Sequence, residues 1–500
     1  MISIPFNEFD EAHRAEQAKR MKEYGFYYVP LTGSSYDRDI NFRIPFKDNL
    51  INYLYFHIER PPLVYNLMIF STSILGTEEW AFRLPSLILG ILSILVFVYF
   101  AKEEQNTGKS TPLLIGLLAL ITSSDLWLSS QYAQLDTGLT TFLFLALLSL
   151  IAFADTSKKI YLVFTSIGLA LAVLSKGQPA IFISLPIIYL LIIRKLKIKY
   201  LILMAAVSLI LLLPWLVPVI LKFGLVNLVT IFFSFVATTL EQDVIHHKAP
   251  IFWYVRWWWE SFRPGWILFL ALVVLDIVNK KLDWRRKTLL SFIFGSLALL
   301  SIPESKLWWY VLPIVPLIAY YVFLSLVDQL RSRKDLILNL AVVIIIASRA
   351  PLSGASNKVA LFYGIITTAL CAFILYKLKI SVLGNSFKKV QNIVLILAVL
   401  FSLASFYLRF PKIIPYDWNI KPVAKYFSQI PGSKCLWIYD MPPESALFYS
   451  EAGEIHQFHE GSKTYGHCTN YLITPSNFLD KTLVYQKGRT KLYLLENSKI

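Results

Sequence analysis

The strongest constraint on this chain is a series of long apolar runs that follow one another from residue 81 to residue 409. Hydrophobic residues make up 56% of the 500 residues, charged residues make up only 16%, and the mean hydropathy is +0.56. A helix of roughly twenty apolar residues crosses a hydrocarbon core of about 30 Å. The sequence therefore predicts an all-α polytopic membrane protein rather than a set of soluble domains.

The apolar runs divide into twelve predicted transmembrane spans. They are residues 81–101, 111–125, 137–155, 160–174, 178–193, 200–221, 265–280, 288–302, 309–328, 335–349, 358–376 and 392–409. A further apolar helix, 63–75, follows Pro61 and Pro62 and stops before Gly76. Its length is only roughly 20 Å at about 1.5 Å per residue, so we expect it to lie in the membrane interface.

Basic residues predict the orientation of these spans. The net charge is +16, and the Lys and Arg residues cluster in alternate connections, at 102–109, 158–159, 194–199, 280–287, 331–334 and 377–389. Because cytoplasmic loops are rich in Lys and Arg, this pattern places residues 1–80, 222–264 and 410–500 outside. A polar segment that begins outside leads us to expect one more span before Met1. Basic clusters between apolar runs give little support to nucleic-acid binding.

Three regions follow from this layout. Residues 1–80 form a first outer loop with interfacial helices, residues 81–409 form the transmembrane domain, and residues 410–500 form a small outer domain. In the last region 436–439, 471–473 and 491–495 are short apolar runs between turn-rich segments, which predicts an α/β domain. Cys435 and Cys468 lie in this region, and the sequence leaves open whether they form a disulfide or remain two thiols.

The first outer loop contains two pairs of charged residues. Asp10 and Glu11 begin a polar helix predicted over 10–24, and Glu59 and Arg60 stand directly before the two prolines. One interpretation is that Asp10 and Glu11 are solvated first-turn residues favoured by the helix dipole. The other is that they carry chemistry beside a very apolar chain.

Further polar residues stand at the predicted outer ends of the spans. They are Asp136, Lys176, Lys306 and Tyr310, with His247 and Lys248 in the long outer connection before an aromatic run at 252–259. Singly, each has a structural explanation, since Lys extends to the interface and Trp and Tyr form interfacial belts. Ionisable groups beside an apolar bundle are costly, however, and their convergence on one face favours a functional site.

Carboxylates and cations on one face suit a reaction on a phosphate-bearing lipid. Arg and Lys would hold a phosphate or diphosphate, with Arg offering two parallel donors. A carboxylate near an acceptor hydroxyl acts as a general base. A second carboxylate and a His would suit a divalent metal such as Zn or Mg.

The order of short motifs resembles the GT-C glycosyltransferases that use polyprenyl-phosphate sugars. Most similar are the 4-amino-4-deoxy-arabinose transferases of lipid A and the dolichyl-phosphate-mannose protein mannosyltransferases. The motifs are Asp-Glu-Ala-His-Arg-Ala-Glu at 10–16, Glu-Arg-Pro-Pro at 59–62, Trp-Ala-Phe-Arg-Leu-Pro-Ser at 80–86, Leu-Asp-Thr at 135–137, Leu-Ser-Lys-Gly at 174–177, Pro-Trp at 214–215, His-Lys-Ala-Pro at 247–250 and Ser-Lys-Leu at 305–307. The family's thirteen spans agree with twelve spans here plus the expected first helix.

The resemblance implies roles for individual residues. The implied catalytic residues are Asp10, Glu11 and Asp136. The implied substrate-binding residues are Arg14, Arg60, Lys176, Lys248, Lys306 and Tyr310. The implied metal ligands are Glu59 and His247. Arg60 stands where the family has Lys, and His13-Arg14 replaces the family's Arg-Tyr.

The resemblance implies transfer of a sugar, with inversion, from a polyprenyl-phosphate carrier to a lipid, glycan or protein outside the cytoplasm. The longer connection between Pro30 and Glu59 would shape the acceptor entrance. A transporter or lipid flippase is the alternative from another class, and a glycan ligase or polymerase using an undecaprenyl-diphosphate carrier is the alternative enzyme. The few charges in the middle of spans and the absence of a repeated half disfavour a transporter.

Overall fold

The computed structural model describes residues 9–32, 43–46, 49–104, 111–121, 123–231, 233, 249–255, 257, 263–304, 306–332, 420–432, 434–439, 443–450, 455–457, 468–478 and 481–495. Most of these residues are helical, and a small sheet domain lies at the C-terminus. The predicted spans 335–349, 358–376 and 392–409 lie outside the described residues.

Within the described ranges, five helices are long and apolar enough to cross a membrane. They are α3 (Glu79–Glu104), α6 (Asp136–Thr156), α7 (Lys159–Lys176), α9 (Ile198–Phe223) and the continuous segment Trp308–Asp328. Each coincides with a predicted span. The chain is therefore a multi-pass membrane protein, as its composition predicts.

Four other predicted spans are helical, and two of them are interrupted. The span 111–125 divides into α4 (Thr111–Ile121) and α5 (Ser124–Gln131), because the Ser123 hydroxyl accepts the amide of Leu126 and starts a new helix. The span 178–193 divides into a 3₁₀ helix, Gln178–Ile183, and α8 (Ser184–Ile192). The helices Arg263–Val278 and Trp284–Ser301 match the spans 265–280 and 288–302.

Most of the side chains of helix α6 are buried inside the bundle. It packs closely on α7, where a Cβ at Gly168 would lie 2.9 Å from the carbonyl oxygen of Phe142. Only glycine permits that approach. Helix α3 packs on another side of α6, and the hydroxyls of Ser93 and Thr141 lie 2.7 Å apart across this contact.

The described part of residues 9–75 contains the two predicted helices and one sheet that the sequence did not predict. Helix α1 spans Phe9–Tyr24, and α2 spans Leu63–Leu75 and stops at Gly76, which has a φ of 85°. Between them, β1 (Leu31–Thr32), β2 (Arg43–Phe46) and β3 (Asn49–Phe56) form an antiparallel sheet in the order β1-β3-β2. Charged and turn-forming residues flank these short strands and obscure their alternation in the sequence.

The C-terminal domain is an α/β unit, as predicted. Its helices span Ile420–Gln429 and Pro443–Ser450. Its strands are β4 (Lys434–Ile438), β5 (Ile455–Gln457), β6 (Thr469–Thr474), β7 (Thr482–Lys487) and β8 (Thr490–Leu495), in the order β5-β4-β6-β8-β7. Strands β5 and β6 run parallel to β4, and β8 pairs antiparallel with β6. A disulfide joins Cys435 to Cys468, which decides between the two alternatives that the sequence left open.

The C-terminal domain shares one hydrophobic core with α1 and α2. Ala12 and Ala15 on α1 and Val64 on α2 are buried in the same cluster as Val423 and Phe448. The Lys19 ammonium donates to the carbonyl oxygen of Phe448 at 3.3 Å. The helix that carries Asp10 and Glu11 is therefore held between the membrane bundle and this domain.

Candidate active site

Asp10 lies in the first turn of α1, and its side chain is 23% exposed. Arg14, one turn later, places a guanidinium nitrogen 3.5 Å from the Asp10 carboxylate. The same guanidinium donates to the Gln17 side-chain oxygen at 3.1 Å, and that oxygen also accepts the Tyr65 hydroxyl at 2.8 Å. Arg14 is thus held beside Asp10 by contacts that reach α2.

Glu11 has a different environment, although it is adjacent to Asp10. Its side chain is fully buried and accepts two hydrogen bonds from Arg83 on α3, at 2.7 and 2.9 Å. It also accepts the backbone amide of Ala133 at 3.1 Å, in the turn between α5 and α6. These contacts fix the start of α1 against two other elements. They favour a positioning role for Glu11 over the catalytic role that the resemblance implies.

Asp136, Lys176 and Tyr310 meet although they are far apart in the sequence. The Lys176 ammonium, at the end of α7, donates to the carboxylate of Asp136, which begins α6. The same ammonium lies 5.0 Å from the ring centroid of Tyr310, in the 3₁₀ helix Trp308–Ile314. Asp10 and Arg14 are close enough to act electrostatically on both Asp136 and Tyr310.

The Glu59-Arg60 motif lies against the end of α7. Gly177 stops α7 with a φ of 74°, and a Cβ there would lie 3.5 Å from Pro61 and 3.8 Å from the carbonyl oxygen of Glu59. The Glu59 carboxylate is 3.3 Å from the guanidinium of Arg60 and 3.1 Å from the imidazole of His57. This tight turn brings the charged pair of the first loop next to the segment that carries Lys176.

His13 is buried beside this group. Its ring centroid is 5.7 Å from that of His57, in an edge-to-face arrangement. Burial lowers the pKa of His13 well below its usual value, and the charges of Arg14 and His57 lower it further. The imidazole of His13 is therefore neutral at pH 7.

Lys306 occupies a separate position. It is buried, its ammonium donates to the carbonyl oxygen of Pro303, and burial lowers its pKa. This contact ties Lys306 to its own loop. Its role in binding substrate stays a prediction.

The predicted metal pair is only half described. Glu59 is in the site, whereas His247 and Lys248 lie outside the described residues. Across the described ranges, no group of three His, Cys, Asp or Glu side chains has an arrangement suited to a metal ion. A metal on Glu59 would share its carboxylate with His57 and Arg60, so the reaction proposed below routes no step through a metal.

The sequence motifs included Arg83 but did not give it a partner. An arginine near the start of an apolar span is costly unless it is paired, so its presence there could have indicated a buried acidic partner. Gln17 and Tyr65 carried no comparable signal. Their contact depends on how α1 packs against α2, which spacing alone does not determine.

Comparisons with known proteins agree with this architecture. Residues 59–217 match the family model described as dolichyl-phosphate-mannose-protein mannosyltransferase. The structure resembles ArnT from Cupriavidus metallidurans in the apo state, with a TM-score of 0.69, 17% identity, and coverage of 98% of this chain and 94% of that chain. It also resembles the same protein bound to undecaprenyl phosphate, with a TM-score of 0.71, 15% identity, and coverage of 99% and 95%. No curated protein matches the chain significantly.

These similarities cover the first loop, the bundle and the C-terminal domain together. At 15–17% identity they establish the fold, and the family match adds a relationship over residues 59–217. The resemblance seen in the sequence motifs is thereby confirmed. The chain is a membrane protein with the GT-C fold of ArnT, and its residues 59–217 are similar to the dolichyl-phosphate-mannose-protein mannosyltransferase family.

Proposed function

We propose that this protein transfers a sugar from a polyprenyl-phosphate carrier to an acceptor lipid, glycan or protein, with inversion at the sugar carbon. The observation that carries the proposal is one cluster of opposed charges at one end of the bundle. Asp10 and Arg14 on α1 lie beside the Asp136–Lys176 pair and Tyr310. The related ArnT has been solved with undecaprenyl phosphate, which supports a polyprenyl-phosphate donor.

The phosphate of the carrier would bind the cations of this cluster. Arg14 and Arg60 offer planar guanidinium groups that bind phosphate oxygens in pairs. Lys176 supplies a third positive charge, and the Tyr310 ring beneath its ammonium limits where that charge can move. Asp136 holds Lys176 in place before the donor arrives. Lys248 and Lys306 are proposed as further substrate contacts.

In the reaction, an acceptor oxygen or nitrogen attacks the anomeric carbon of the sugar. The bond from that carbon to the carrier phosphate oxygen breaks, its electron pair leaves with the phosphate, and the configuration inverts. Asp10 accepts the proton that the acceptor loses. Its partial exposure lets an acceptor approach, and the guanidinium of Arg14 lies 3.5 Å from the carboxylate. The cations stabilise the developing charge on the phosphate.

The location of the site is part of the proposal. Following the positive-inside pattern, the Asp10 cluster and the C-terminal domain would face the outside of the plasma membrane. The three regions would be residues 1–80, 81–409 and 410–500. A divalent metal on Glu59 and His247 would add Lewis-acid stabilisation of the leaving phosphate. Chelation of the metal would show whether transfer requires it.

The first experiment tests transfer with the purified protein in lipid. The donors are labelled polyprenyl-phosphate mannose, glucose, aminoarabinose and galactosamine, each supplied with acceptor membranes. We expect one donor to lose its sugar to the membrane or protein fraction. Glu23→Gln changes an acidic residue near the end of α1, the helix that carries Asp10. It is the matched control for substitutions of Asp10 and should keep activity.

The same assay separates the alternatives. Turnover only with a diphosphate-linked donor would indicate a ligase or polymerase. A folded protein that moves a labelled lipid between leaflets without transferring sugar would indicate a flippase or transporter. In that case changes at the middle of the bilayer, rather than at Asp10, would abolish the movement.

A further inference from the structure

A second group of charged residues lies at the opposite end of the bundle. On α3, Glu104 follows Arg83 by twenty-one residues, which is about 32 Å along the helix. On α6, Asp155 follows Asp136 by nineteen residues, or about 29 Å. Both distances match a hydrocarbon core of about 30 Å. This second group is therefore separate from the proposed active site and lies at the end predicted to face the cytoplasm.

The group surrounds a cavity of about 190 Å³ between α3, α6 and the helices Trp284–Ser301 and Val315–Ser332. An apolar cavity of about 150 Å³ holds a molecule of the size of benzene, so a ligand with six to eight non-hydrogen atoms would fit. One wall is apolar and includes Phe100, Leu148 and Ile151. The cavity can thus hold an alkyl group as well as a polar one.

The rim of the cavity carries an excess of negative charge. Arg285 donates to both oxygens of Glu104 at 2.7 Å and to one oxygen of Asp155 at 2.9 Å. Glu103 accepts the hydroxyl of Tyr161 at 2.7 and 2.8 Å. Among the lining residues, three carboxylates face one guanidinium, so negative groups outnumber positive groups by two. Glu103 and the second oxygen of Asp155 retain acceptor capacity.

Tyr320 provides an independent indication of a ligand. Its side chain is only 4% exposed and lines the cavity, and within the described part of the chain its hydroxyl makes no hydrogen bond. Edge contacts with Phe97 and Phe144 hold its ring in place. This hydroxyl can therefore exchange a hydrogen bond with a polar group that enters the cavity.

The chemistry of the lining selects among ligands. The excess of carboxylates disfavours an anion. Over the described residues, the carboxylates do not form an arrangement suited to a metal ion. An ammonium group has several donors and no acceptor, which complements Tyr320, Glu103 and Asp155. Its alkyl substituent would rest on the apolar wall.

We propose that this cavity binds a small ammonium group, supplied either by the headgroup of an amine-bearing lipid or by a free amine. Ammonium nitrogen would donate to Tyr320, Glu103 and Asp155, while Arg285 keeps the neighbouring carboxylates in place. The site is distinct from the sugar-transfer cluster. An Asp10→Asn variant should therefore still bind the amine. If no amine binds to the unchanged protein, the proposed transfer reaction is unaffected.

The test uses the full chain in nanodiscs of phosphatidylglycerol, which carries no amine. Native mass spectrometry measures binding of added phosphatidylethanolamine, and calorimetry measures binding of free ethanolamine against sodium chloride at equal ionic strength. We expect saturable binding of one molecule per chain. Binding of the lipid identifies the headgroup as the source, and binding of ethanolamine alone identifies a free amine.

Two conservative variants test the contacts. Tyr320→Phe removes only the hydroxyl, and Glu103→Gln removes one charge on an exposed side chain; each should raise Kd about tenfold. Glu78→Gln, an exposed change at the other end of the bundle, should leave Kd unchanged. The unfolding temperature of each variant verifies that it is folded. Three results would overturn the proposal and leave the charged group as a bridge between helices: no saturable amine binding, a Kd in both variants equal to that of the unchanged protein, or binding of Mg²⁺ in place of the amine.

Discussion

Replacing Glu11 with Gln tests whether the two adjacent acids of α1 have different roles. Glu11 accepts two hydrogen bonds from Arg83 and one from the amide of Ala133, all in a buried site. In Glu11→Gln the amide can still accept the Ala133 bond, but its NH₂ group opposes an Arg83 donor and the guanidinium loses its counter-charge. Breaking a buried ion pair by removing one partner costs about 3–5 kcal/mol. Arg83 keeps some exposure, so we expect about 3 kcal/mol.

The assay is the thermal unfolding of the purified protein in lipid, combined with a double-mutant cycle. Glu11→Gln and Arg83→Gln should each lower the unfolding temperature by several degrees. The double variant should lose less stability than the two single variants lose together, because the two glutamine side chains can hydrogen-bond to each other. Glu23→Gln, which breaks a partly exposed pair with Arg20, should cost at most about 1 kcal/mol.

Transfer activity distinguishes the two roles directly. If Glu11 positions α1, the loss of activity in Glu11→Gln should be partial and should follow the loss of stability, and the double variant should recover part of it. A Glu11→Gln protein of normal stability with no activity would refute this reasoning. Glu11 would then be a catalytic residue, as the resemblance implies.

Three other predictions concern the disulfide, a buried histidine and the possible metal. The Cys435–Cys468 bond closes a loop with a sequence separation of 33, so Cys435→Ser or reduction should cost about 3–4 kcal/mol, measured as a lower unfolding temperature of the C-terminal domain. Because the pKa of His13 is lowered in the folded protein, the unfolded chain binds more protons below about pH 6.5, and stability falls as the pH decreases from there. His13→Gln should flatten that decrease by up to about 1.4 kcal/mol per pH unit between unfolding measurements at pH 7.5 and 5.0, and an unchanged slope would contradict the burial of a neutral imidazole. If the proposed metal is required, chelation with EDTA should abolish transfer and Zn²⁺ or Mg²⁺ should restore it; full activity after chelation would remove the metal from the account.

The local pattern of the sequence predicted the helices well. Apolar runs such as 137–155 and 160–174 have only one way to satisfy their backbone groups in lipid, so the matching helices α6 and α7 agree closely. The helix 63–75 was also predicted with its bounds, because two prolines and a glycine mark its ends. The sheet β1-β3-β2 was not predicted, since its stability depends on packing against α1 and α9 rather than on its own composition.

The sequence marked Asp10, Asp136 and Lys176 as candidate site residues, but it did not show which side chains contact one another. Lys176 and Asp136 were separately notable as charges beside apolar spans. Their pairing depends on the packing that brings the start of α6 next to the end of α7. The contrast between Asp10 and Glu11 is invisible in a sequence where the two are neighbours. It arises because successive positions of a helix point in directions about 100° apart, so one acid faces the cluster and the other faces Arg83.

The central claim is that Asp10 acts in sugar transfer from a polyprenyl-phosphate donor. The most direct measurement compares Asp10→Asn with the unchanged protein for two quantities, the affinity for the labelled donor and the rate of a single turnover. If Asp10 accepts the proton of the acceptor, donor affinity should change less than threefold, whereas the turnover rate should fall at least a hundredfold (general-base catalysis contributes about 10²–10⁴). A folded Asp10→Asn protein that transfers sugar at the unchanged rate would contradict the account.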